Sequence, residues 1–238
     1  MVIRMAAAAV FATVWSIFCT FLVKSELNKV YKKLLSGEND TEDNTEKSPV
    51  EDKTFNKKQQ ITFGIITAVL NILLSLVLVY VYKDTPVAEH IKRLGLIGII
   101  EVAAVTDRKY NLIPNDLIKV GLIFRALMLI WEIFLFKMDV LSILISDGVG
   151  ILAVVIIVVL CLLFMKGSVG MGDLKLMMLM ALCQGIDGLA ASGMLSLIAA
   201  FFAAIYYLIT KKKERKDSMA FAPFLAVGTY LGIFLTGL

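Results

Sequence analysis

The sequence predicts an all-α, polytopic membrane protein of about eight transmembrane helices, two of them short. Three observations carry that reading. Hydrophobic residues make up 59% of the 238 positions, well above the half or so usual in soluble domains. Mean hydropathy is +0.83. The apolar residues also fall in runs close to the ~20 residues that a helix needs to cross the hydrocarbon core.

The first run covers 2–23, with only Arg4 near its start. Lys24, Lys29, Lys32 and Lys33 follow it. That pattern is expected of an uncleaved anchor with a cytoplasmic loop after it. In the loop 24–60, Leu27, Val30, Tyr31 and Leu34 stand at helical spacing, so an amphipathic helix should extend from the first span and end at Gly37. The remainder is polar, charged and nearly free of aliphatics, which predicts disorder. A second span is expected at 61–82, followed by an external loop over 83–93 in which His90 is solvated.

The runs 94–106 and 174–186 are the short ones, each supplying only ~20 Å of apolar helix. They can thin the bilayer, lean on neighbours or continue into polar flanks. Full-length spans are expected at 117–136, 142–165, 189–210 and 219–238. With eight crossings, the loops 24–60, 107–116, 166–173 and 211–218 share one side. Together with Lys119 and Lys175 they hold eighteen Lys/Arg, against five on the other side. The positive-inside rule makes that side cytoplasmic and puts both termini outside. A net charge of +4, with the basic residues beside apolar runs, gives no reason to expect nucleic acid. Membrane lipid is the expected surrounding. Cys19, Cys161 and Cys183 lie in apolar stretches without C-x-x-C spacing, so no metal site or cofactor is expected.

Two carboxylates fall at the cytoplasmic edge. Asp173 stands in "SVGMGDLKLM", after Gly170 and Gly172, and Asp107 in "VTDRKYNLIPND". Each has a plain structural reading. Asp173 would serve as an ordinary helix N-cap, and Asp107 would open a solvated loop, although a helix C-terminus disfavours a carboxylate. Pro114 forces an extended turn before the next helix. Their chemical reading is a pair that shares a proton, suited to aspartic proteolysis. Glu101 and Arg125 lie at similar depth, and are expected to pair and brace the helix that carries Asp107.

These stretches also resemble a known family. "GMGDLKL" is similar to the G-x-G-D-x-K-L motif of type IV prepilin peptidases and archaeal preflagellin peptidases, with Lys175 at the motif's lysine. "DRKYNLIPN" resembles their other aspartate signature, with Asn115 rather than Asp116 at the aligned position. "FAPFLAVGTYLG" looks like their last helix. The resemblance covers 94–238, which would form the peptidase domain after the first span, the loop, and the second span with its external loop at 61–93.

It implies a membrane-embedded aspartic endopeptidase of a prokaryotic inner membrane. Such an enzyme would cut the leader of pilin-like precursors at the cytoplasmic face, with Asp107 and Asp173 as the catalytic pair. Many bacterial members carry a cysteine-rich, zinc-binding insert in the first loop and also methylate the product. Loop 24–60 contains no cysteine, which puts methylation in question here. Two rivals stand beside this reading. One is a presenilin-like intramembrane protease. The other is a transporter or assembly scaffold, in which Glu101, Arg125, Glu132 and Asp147 would mark an ion path.

Overall fold

A computed structural model describes residues 2–36, 57–136, 140–164, 170–210 and 219–237. The polar part of the first loop, the basic run 211–216 and the stretch just before Gly170 lie outside the described residues. Within them the chain is helical: α1 (Val2–Ser36), α2 (Lys57–Val81), α3 (Val87–Tyr110), α4 (Asn115–Phe136), α5 (Val140–Phe164), α6 (Met171–Ile209) and α7 (Ala222–Thr236).

Four helices have the length and composition to cross a membrane: α1, α2, α5 and α6. At 15 residues α7 is shorter. α3 and α4 are long enough but carry charge: Glu89, Lys92, Arg93, Glu101 and Asp107 on α3, and Asp116, Lys119, Arg125 and Glu132 on α4. α3 is the central helix and packs on α1, α2, α4, α6 and α7. Leu96, Ile99, Ile100, Val102 and Ala103 of α3 are fully buried. The outer helices expose large apolar side chains instead. On α5 these include Leu141, Leu144, Ile145, Leu152, Ile156 and Leu160. An apolar exterior around an interior that holds the charges is the distribution a lipid solvent imposes.

The eight expected helices become seven among the described residues. The runs 174–186 and 189–210 are one helix, α6, bent where Gly185 adopts φ 64° and ψ −168°. A residue with a side chain is strained there, so glycine lets the helix change direction without a loop. The short run 94–106 lies inside the 24-residue α3, which continues into polar flanks at both ends. The expected external loop 83–93 is therefore helical from Val87 onward. His90 is only 4% exposed, not solvated, because it sits in the first turns of the central helix.

Candidate active site

Asp107 lies in the last turn of α3 and is 6% exposed. Asn111 ends this helix in the left-handed conformation, its N–H donating to the Asp107 carbonyl at 2.7 Å. The carboxylate meets the start of α7. Ala222 donates its backbone N–H to Asp107 Oδ2 at 2.9 Å, and the Phe221 backbone also hydrogen-bonds to it. Pro223 stands in the first turn of α7, a position where its missing N–H costs nothing. The amides around it have no helical acceptor. The C-terminal turn of one helix and the N-terminus of another thus meet across one carboxylate.

Asp173 lies in the first turn of α6. It is not the N-cap: Gly170 holds that position, and Asp173 is the third residue of the helix. Its Oδ1 is buried and has no hydrogen-bond partner among the described residues. Asp173 also lies within the electrostatic reach of Asp107.

The two motif stretches touch at two further points. A Cβ on Gly172 would come within 3.0 Å of the Ile113 Cβ, so the absent side chain lets α6 approach the turn before α4. Lys175 Nζ donates to Asn115 Oδ1 at 2.8 Å. Pro114, between these contacts, is buried and its carbonyl accepts from the Leu117 N–H at 3.1 Å. Gly170 abuts Asp173 itself, at 3.2 Å from Oδ2 to the position of an added Cβ. Asp107, Pro114, Gly170, Gly172, Asp173 and Lys175 therefore gather at one end of α3, α4 and α6. Asp116 belongs to a separate exposed cluster, 3.2 Å from Lys29 Nζ and 3.3 Å from Lys119 Nζ.

The expected Glu101–Arg125 pair is absent. Glu101 is held by the Asn71 amide at 3.3 Å and by the Tyr230 hydroxyl, which also lies 2.8 Å from Asn71 Oδ1. Arg125 pairs with Glu132 at 2.8 Å and Asp147 at 2.7 Å. Equal depth fixes position along the membrane normal but not which way a side chain faces around its helix. The Phe221 and Ala222 amides, Asn71 and Tyr230 were missed by sequence reasoning. Only the proline opening the last helix hinted at the amides, by marking a helix N-terminus. Among the described residues no group of three or more His, Cys, Asp or Glu could hold a metal ion.

An all-helical chain with several helices fit to span a bilayer, and two carboxylates gathered at one end of them, defines a membrane protein with a candidate acid–base site. The profile of the type IV leader peptidase family matches residues 94–209. Over this segment the chain is similar to that family, whose members are proteases of the aspartic type. Neither a curated protein nor a solved structure matches the chain.

Proposed function

We propose that this protein is a membrane-embedded aspartic endopeptidase that removes the leader of type IV prepilin-like precursors at the cytoplasmic face. Asp107 and Asp173 are its catalytic pair. The observation that carries the reading is the convergence of the two carboxylates at one end of the helices in the segment 94–209, with a buried, unpartnered Asp173 oxygen and an electrostatic interaction between Asp173 and Asp107.

Two carboxylates at close range share a proton rather than both ionising. The ionised partner takes a proton from water as the water oxygen attacks the scissile carbonyl. The protonated partner gives its proton to the carbonyl oxygen. The tetrahedral intermediate then collapses as the C–N bond breaks and the leaving amine takes up a proton. The amides of Phe221 and Ala222 favour the charged form of Asp107, which suits it to the part of the base. The excess of Lys/Arg in the loops around this end supports its cytoplasmic position.

The test is incubation of the purified protein with a peptide bearing a short basic leader that ends in Gly, before a Phe- or Met-led apolar run. Mass spectrometry should find one new N-terminus at that junction. Cleavage within the apolar run instead would replace this reading with intramembrane proteolysis.

A further inference from the structure

The half of α6 that carries Asp173 ends at the Gly185 bend. A backbone at φ 64° and ψ −168° cannot continue the helical ladder, so the last carbonyls before it lose their i+4 donors. One of these, Leu182, is met from outside the helix: Arg125 Nε donates to its carbonyl oxygen at 2.5 Å. Arg125 is 4% exposed, and each of its three nitrogens has a different partner. Nε takes Leu182 on α6, Nη1 takes Glu132 on α4 at 2.8 Å, and Nη2 takes Asp147 on α5 at 2.7 Å. Lys92 of α3 closes the cluster through Glu132 at 3.1 Å. The four charges sum to zero, which permits their burial. Charge balance alone does not call for a guanidinium aimed at a helix-terminal carbonyl.

The same helix, α4, grips the half-helix 171–184 along its length. Asn115 takes Lys175 near the Asp173 end. In the middle, the absent side chain of Gly121 makes room for Leu179. Arg125 takes Leu182 at the far end. A cation at a helix C-terminus is favourable, and the planar, fixed fork of arginine sets direction as well as charge.

We propose that Arg125 is a positioning residue for Asp173: it caps the half-helix 171–184 at its glycine bend and so fixes the register in which the first turn presents the carboxylate. The catalytic consequence rests on the role proposed for Asp173. The placement of the half-helix does not.

The experiment uses the full chain in lipid nanodiscs, with its native cysteines replaced and spin labels at Met171 and Leu127, both exposed. Two variants are compared with the parent. Arg125→Met with Glu132→Gln and Asp147→Asn removes the cap and leaves Lys92 paired with Glu89 at 2.8 Å. Arg125→Lys keeps the charge without the fork. In each, the distance distribution between the labels should broaden. kcat on the precursor peptide should fall, by up to about 10²-fold for a displacement near 1 Å, with KM unchanged. A folded triple variant with parental distances or parental kcat overturns the proposal. If the triple variant does not fold, Arg125→Lys decides by the same two readouts. A parent that cleaves no precursor, while the label distances still broaden in the variants, removes the peptidase reading and leaves the cap intact.

Discussion

Ala222 donates its backbone N–H to the Asp107 carboxylate at 2.9 Å, across 115 positions of sequence. At the end of α3 alone, the helix dipole would disfavour that carboxylate by about 0.3–1 kcal/mol. A hydrogen bond to a charged group contributes about 1.5–3 kcal/mol. The start of α7 therefore offsets the unfavourable end of α3 at Asp107.

Asp107→Asn and Asp173→Asn should each lower precursor cleavage by roughly 10²–10⁴-fold or more, while the protein still inserts and unfolds cooperatively. Asp116→Asn should cleave normally, because its carboxylate sits in the exposed cluster with Lys29 and Lys119. Cleavage that survives loss of either member of the pair sinks the mechanism.

Lys175 and Asn115 join the two motif stretches by one hydrogen bond of 2.8 Å. Lys175→Met and Asn115→Ala should each cost about 1 kcal/mol of alignment, seen as roughly fivefold slower cleavage. The double variant should be no slower than the worse single one. Losses that multiply would mean the two residues act separately.

Tyr230→Phe leaves Glu101 with Asn71 alone in the bundle interior. Thermal unfolding should occur at lower temperature, corresponding to a loss of about 1–3 kcal/mol. The charge swap Glu101→Arg with Arg125→Glu should recover nothing over the single changes, since the two residues have different partners. Recovery would restore the pairing that the structure lacks.

Gly185→Ala places a side chain at φ 64° and against Ser146. Strain of about 1–3 kcal/mol is expected, measured as a lower unfolding temperature. Unchanged stability would show that the bend is not needed.

Asp84 and Asn111 are exposed and flank α3 at its two ends. In chains otherwise free of cysteine, an impermeant thiol reagent applied to intact cells should label Asp84→Cys at once and Asn111→Cys only after lysis. The opposite order inverts the proposed topology.

The long lipid-facing helices were legible because an uninterrupted apolar run has few other uses. α5 is the clear case. The bend in α6 was not, because one glycine in an apolar helical pattern reads the same whether the helix runs through or turns. The short run 94–106 misled for a related reason: the charges of α3 look like helix ends until their buried partners are known. Asp107 and Asp173 were legible through the residues around them. The donors of Asp107 were not, since backbone amides leave no mark in side-chain identity. Arg125 and Glu132, seven residues apart, stand on one face but ~10 Å apart along the axis. The reach of an arginine and a glutamate side chain closes that gap.

The dependence of Asp107 on Phe221 and Ala222 also imposes an order on biosynthesis. Ribosomes deliver α3 and the first turn of α6 to the membrane well before residue 221 is synthesised. Until then both carboxylates exist, yet the first lacks the amides that hold it. A nascent chain halted at any point before α7 carries Asp107 without these two donors.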